Sequence, residues 1–165
     1  MRGSLLSIFV ALVFADCTAF AQQADEHAVA FGKTIYAEKA NCASCHGWAG
    51  DGQGDPHAHG VAAKLRDTKL DRAHLIETIS CGRPGTDMPH FDAFAYGEDP
   101  CYGMNEADVE ANGNKPSEPQ QSLQPREIAA VADYVLAAIA GKGPPTKAEC
   151  VAYFGTPAPV CASYP

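Results

Sequence analysis

Residues 41–54 read N-C-A-S-C-H-G-W-A-G-D-G-Q-G. Cys42 and Cys45 are one helical turn apart, His46 follows directly, and Gly47, Gly50, Gly52 and Gly54 punctuate what comes next. Three chemistries use such a cluster: a redox dithiol, part of a zinc site, or the covalent attachment of haem. The rest of the chain has to separate them.

The chain starts with Arg2, continues through an apolar run from Leu5 to Phe14 and reaches Ala19-Phe20-Ala21 before polar Gln22. A basic start, an apolar stretch too short to span a bilayer and an A-x-A site predict a signal peptide over 1–21. Cys17 raises a lipoprotein alternative, but Asp16 suits the residue before a lipidated cysteine poorly. Nothing downstream is long and apolar enough to cross a membrane, so the mature chain is expected to be soluble and periplasmic. Its formal charge of -8 disfavours nucleic acid and anionic lipid and favours a basic partner patch.

Of seven cysteines, Cys17 lies in the signal segment. If Cys42 and Cys45 hold a cofactor, Cys81, Cys101, Cys150 and Cys161 remain, and an oxidising compartment pairs them. Three connectivities are open. Short intervening loops favour Cys81–Cys101 and Cys150–Cys161, each worth roughly 3 kcal/mol by the chain-entropy relation.

Helical periodicity appears three times: Asp25 to Ala40, Asp71 to Ser80 with Asp71 as N-cap, and Pro125 to Ala140 with Gly141 as the stop. No two-residue alternation is long enough to predict a strand. Asp92 to Gln124 contains E-A-N-G-N-K-P-S-E-P-Q-Q-S and reads as a flexible surface insertion, with a short helix possible after Asn105. The expectation is an all-α domain over 22–143 and a turn-rich, disulfide-stapled tail over 144–165. Its core is thin for its length, a deficit that a large apolar cofactor would fill.

Zinc would need further ligands, with His57 and His59 as candidates, and His46 directly after Cys45 is awkwardly placed to join both thiolates on one ion. A thioredoxin-like dithiol needs a strand–helix context that is absent. C-x-x-C-H is the attachment signature of c-type haem: both sulfurs bond one edge of the ring and the next residue offers imidazole to the iron. One copy implies one covalent haem c, held by Cys42 and Cys45, with His46 as proximal ligand.

For the opposite axial position, Met88 lies in G-R-P-G-T-D-M-P-H-F, a turn-rich strap stiffened by Pro89. A thioether suits low-spin haem iron. Met104 is the substitute, and His57, His59, His74 and His90 are the bis-histidine alternatives. Arg83 and Trp48 are candidate propionate donors. Leu65, Leu75, Ile79, Phe91, Phe94 and Tyr96 are candidate pocket walls.

These residues resemble the class I monohaem cytochromes c from Phe31 to about Lys142. The resemblance rests on Gly32 and Tyr36, on Cys42-Ala43-Ser44-Cys45-His46-Gly47, on Met88-Pro89 and on Tyr134. It implies a cytochrome c fold around one haem, with the first and last helices crossing at Gly32 and Tyr134, and Met88 on the distal side. The implied activity is one-electron transfer rather than catalysis, from a dehydrogenase donor to a cytochrome or oxidase acceptor. The strap is similar to that of cytochromes serving quinoprotein alcohol dehydrogenases. Two alternatives stay open: a haem enzyme or gas- or peroxide-responsive sensor with a labile distal ligand, and a cytochrome subunit of a larger complex. The long 92–124 segment, the extra cysteines and the tail depart from the family pattern.

Overall fold

The computed structural model describes residues 26–57, 62–97, 100–156 and 158–165. The expected signal peptide, Cys17 and His59 lie outside the described residues.

Helix α1 covers 26–34 and passes into a wide turn, Ile35–Lys39, closed by Ala40 N–H donating to the Ile35 carbonyl at 2.9 Å. Helix α5, Pro125–Tyr134, ends the same way through Val135–Ile139, with Ala140 N–H on the Val135 carbonyl at 2.8 Å. Pro125 opens α5 where an N–H has no helical partner, and the Gln124 N–H is taken by the Glu127 carboxylate at 2.9 Å. Gly141, at φ 72°, turns the chain away afterwards.

The two helices cross where the sequence suggests. A Cβ on Gly32 would stand 1.9 Å from the Ala130 carbonyl oxygen and 2.8 Å from Tyr134 Cβ, so only glycine allows this approach. Beside the crossing, the Tyr36 and Tyr134 rings pack with centroids 5.4 Å apart.

Helix α3, Arg72–Cys81, starts at Asp71, whose carboxylate accepts the His74 N–H at 2.9 Å. Its Leu75 and Ile79 pack into one cluster with Ile35, Tyr36, Phe91, Leu123, Ile128, Val131 and Ile139. Each such aliphatic side chain contributes about 1.5–3 kcal/mol on burial, which makes this cluster the main source of cohesion between α1, α3 and α5. Among the described residues no strand forms, as expected; the nearest thing is an isolated bridge between Cys101 and Met104.

The segment from Asp92 to Gln124 differs from its expected form. Helix α4, Glu106–Ala111, occupies its middle, with Asn105 and Asp108 exchanging side-chain and backbone hydrogen bonds across its first turn. Val109 and Pro116 are fully buried and Leu123 is nearly so. Gly85 N–H donates to Asn114 O at 3.1 Å, His90 N–H to Ser117 O at 3.3 Å and Leu123 N–H to Phe91 O at 2.7 Å. The segment therefore runs alongside 85–91 and backs it, rather than forming an excursion into solvent.

Both favoured disulfides are present. Cys81–Cys101 joins the end of α3 to the loop before α4, and its sulfurs belong to a second small cluster with Tyr96 and Val109. Cys150–Cys161 staples helix α6, Lys147–Phe154, to a 3-10 turn at Pro159–Ser163.

Candidate cofactor site

Helix α2, Ala43–His46, is a single turn in which the Cys42 carbonyl accepts the N–H groups of both Cys45 and His46. That turn is held tightly from outside. Gly54 lies so close that a Cβ there would be 2.1 Å from Ser44 O and 2.5 Å from Cys45 O. Gly47, at φ 80°, leaves α2 and offers its carbonyl to the buried Tyr36 hydroxyl at 2.7 Å. Helix α1 is thereby tied to the residue that follows His46.

Cys42 and Cys45 are unpaired while the other four described cysteines form disulfides. Burial pushes the Cys42 thiol up to about 12, so it carries almost no thiolate at neutral pH. A redox dithiol or a zinc pair depends on an accessible thiolate, and this environment opposes one. Two unpaired thiols on one helical turn do fit the formation of two thioethers to one ring edge.

The His46 ring is half-buried, and its Nδ1 lies 2.8 Å from the Ala63 carbonyl. A carbonyl only accepts, so Nδ1 carries the proton and Nε2 keeps its lone pair for a metal. Burial holds this histidine below its usual pKa, the Ala63 bond opposes that, and the positive charge of Arg83 adds to it. The influence of the Arg83 charge on His46 is the link between the 82–91 strap and the C-x-x-C-H turn.

The strap is shaped by its own polar groups. Arg83 N–H donates to Met88 O at 3.2 Å, Thr86 Oγ1 donates to Arg83 O at 2.8 Å, and Met88 N–H donates back to Thr86 Oγ1 at 3.2 Å. Gly82, at φ 64°, allows the strap to fold onto itself, since a Cβ would meet Pro89 C at 2.6 Å and Met88 O at 2.7 Å. The Tyr96 hydroxyl donates to Cys81 O at 2.9 Å and the Tyr102 hydroxyl to Gly82 O at 2.7 Å. Met88 is half-buried on this strap.

Of the other described candidates, His90, His74 and Met104 are engaged elsewhere, whereas the His57 bond to Asp55 is made by its backbone N–H and not by its ring. His90 is buried, with Nδ1 2.9 Å from Asp92 O and Nε2 3.2 Å from the Glu118 carboxylate. His74 is exposed and pairs with Asp71 at 2.7 Å, and His57 is exposed with its N–H on Asp55. Met104 packs against the Cys81–Cys101 cluster. Among the expected walls, Leu75, Ile79, Phe91 and Tyr96 are buried and Leu65 is partly so, whereas Phe94 is 71% exposed and lines nothing.

Trp48 also differs from its expected role. Its indole N–H donates to the Tyr164 hydroxyl at 3.1 Å, and its ring packs edge-on against Tyr164 with centroids 5.3 Å apart. The one donor it has goes to the C-terminal tail, leaving Arg83 as the candidate propionate donor.

Sequence reasoning passed over Arg66. Its side chain is 5% exposed and is satisfied by Ala49 O at 3.2 Å, by Gly143 O, and by both Glu149 oxygens at 3.0 and 3.1 Å. A lone arginine in R-D-T-K carries no local sign of this role, because all its partners are distant in sequence. A cleft of about 510 Å³ at the α1–α5 contact, lined by Val29, Ala30, Lys33, Tyr134 and Ala137, contains none of the site residues.

The family model for Cytochrome c matches residues 29–138. No curated protein and no solved structure matches the chain.

Proposed function

The chain belongs to the cytochrome c family, and from that premise we propose that it is a periplasmic one-electron carrier whose haem iron is held between His46 and Met88. Membership implies one covalently bound haem c and a haem-based role in electron transfer; members are typically electron carriers rather than enzymes. No helix among the described residues is long and apolar enough to cross a membrane.

Haem c supplies a metal that exchanges one electron with little change in its surroundings. In this reading Cys42 and Cys45 tether the ring, and His46 offers Nε2 while Ala63 fixes its tautomer. Arg83 would be a donor to a propionate, and Met88 would be offered to the iron by a strap backed from Asn114 to Ser117. With both axial positions filled by the protein, no position remains for a substrate, and outer-sphere transfer is the chemistry left.

The single observation that carries the reading is the state of the C-x-x-C-H turn. Its two thiols are unpaired and one helical turn apart, while the adjacent imidazole is oriented through Nδ1. The -8 formal charge supports a donor or acceptor with a basic docking patch. A quinoprotein alcohol dehydrogenase is the proposed donor, on the likeness of the strap, and a further cytochrome or a terminal oxidase the acceptor.

The test is the absorption spectrum of purified protein in both redox states, with Met88→Ala alongside. The reading expects haem that survives acid–organic extraction, and a methionine–iron charge-transfer band in the ferric wild type that the variant lacks. Extractable haem would overturn the attachment. A band that persists in Met88→Ala would overturn the distal assignment. Rapid carbon monoxide binding by the reduced wild type would favour the sensor or enzyme reading instead.

A further inference from the structure

The C-terminal tail contacts the chain at two points linked to His46: Trp48 through Tyr164, and Arg66 through Glu149. In the chain after Gly47, Trp48 donates to Tyr164 at 3.1 Å, and the carbonyls of Ala49 and Gly50 accept from the Arg66 side chain at 3.2 Å and from its backbone N–H at 3.1 Å. Ala63, whose carbonyl holds His46 Nδ1 at 2.8 Å, lies three residues before Arg66. Arg66 is in turn fixed by Gly143 and by the Glu149 carboxylate on α6.

The tail is itself closed into a rigid unit. Thr146 and Glu149 cap α6 reciprocally, Cys150–Cys161 staples it, and Lys147 N–H donates to Pro165 O at 2.8 Å. Tyr164 therefore cannot move independently of Glu149. Arg66 is buried with three protein acceptors, so it would leave desolvated groups unpaired if the tail lifted away.

We propose that the tail, through Glu149–Arg66 and Tyr164–Trp48, is a positioning device for the proximal histidine, fixing the hydrogen bond that tunes how strongly His46 donates to the iron. The inference rests on the haem reading above. It assigns Arg66, Glu149, Trp48 and Tyr164 as positioning residues that act on His46 through Ala63 and the chain after Gly47. A firm Nδ1–H bond makes the imidazole a better donor and favours the ferric state, so loosening the tail shifts the reduction potential upward.

The experiment uses the full-length holoprotein with Tyr164→Phe, which removes one oxygen and keeps the ring, and with Glu149→Ala. Two quantities are read: exchange of the His46 Nδ1 proton with solvent by NMR, and the reduction potential. Loss of one such hydrogen bond is expected to speed exchange roughly three- to tenfold, with an upward shift in potential in both variants. Val109→Ala, in the small cluster beside Cys81–Cys101, is the control for general loosening.

Unchanged exchange and potential in Tyr164→Phe would overturn the proposal whatever happens to melting, as would equal changes in Val109→Ala. If Glu149→Ala does not accumulate as holoprotein, Tyr164→Phe alone decides. Absence of covalent haem in the wild type would instead sink the underlying reading, and is seen before any variant is compared.

Discussion

Removing the Cys81–Cys101 bridge as Cys81→Ala/Cys101→Ala tests whether it latches the distal strap or only stabilises the fold. The bridge closes a loop with a sequence separation of 20, which the chain-entropy relation values at about 3.3 kcal/mol at 25 °C. For a domain of this size that corresponds to a fall in melting temperature of roughly 10 °C. The second consequence is local. Cys81 is bonded to Gly82, on which the strap folds, so the whole penalty concentrated there would raise the strap-open population on the order of 10²-fold. The Tyr96 and Tyr102 hydroxyls still hold the Cys81 and Gly82 carbonyls, each net bond worth about 1 kcal/mol. Those bonds are present in both proteins and cancel in the comparison, so the expected rise is on the order of 10²-fold. The assay is the rate at which imidazole displaces the methionine ligand in the ferric protein, followed by loss of the charge-transfer band. A rate within about twofold of wild type, together with the expected loss of melting temperature, would refute the latch: the bridge would then stabilise a region that does not open with the strap.

Gly32→Ala should cost about 2 kcal/mol net, despite a gain of about 1 kcal/mol in helix propensity, because its Cβ would strike backbone on α5. Denaturant unfolding of the holoprotein measures this, and a variant as stable as wild type would contradict the crossing. Glu127 is held below the usual carboxylate range, chiefly by the Lys39 ammonium at 2.7 Å and then by the Gln124 N–H. Its folded pKa is depressed, so its contribution is present above the unfolded value near 4.5 and is lost as pH falls below it through the folded value. Melting temperatures between about pH 2 and pH 7 should therefore fall less steeply on the acid side in Glu127→Gln than in wild type; parallel profiles would show that the ion pair does not couple to folding.

The three long helices were legible through a 3.6-residue apolar period, and α3 and α5 also through a chemical boundary: Asp71 before α3, Pro125 and Gly141 around α5. The disulfides were legible because neighbouring cysteines close short loops. Helix α6 was missed although T-K-A-E at 146–149 is a capping box; a tail rich in proline and glycine drew the reading towards turns. The ordering of 92–124 could not be read locally. Asn114 and Ser117 there serve as backbone acceptors for Gly85 and His90 of the strap, partners far away in the chain. The Trp48–Tyr164 hydrogen bond was not legible for a related reason: Tyr164 lies 116 residues further on, a distance at which spacing carries no information.

The order of the cysteines along the chain bears on how the protein is assembled. The six described cysteines can be paired in 15 ways, yet the two bridges present each join a cysteine to its next neighbour downstream, at separations of 20 and 11. As the chain emerges from its N-terminal end, the C-x-x-C pair is complete before any later cysteine appears, and each subsequent bridge closes over the shortest loop on offer, at the smallest entropic cost. Mispairing between the three sets is thus disfavoured by sequence order alone. The one competing oxidation is between Cys42 and Cys45 themselves, so a cell that makes this protein has a single dithiol to keep reduced until haem arrives.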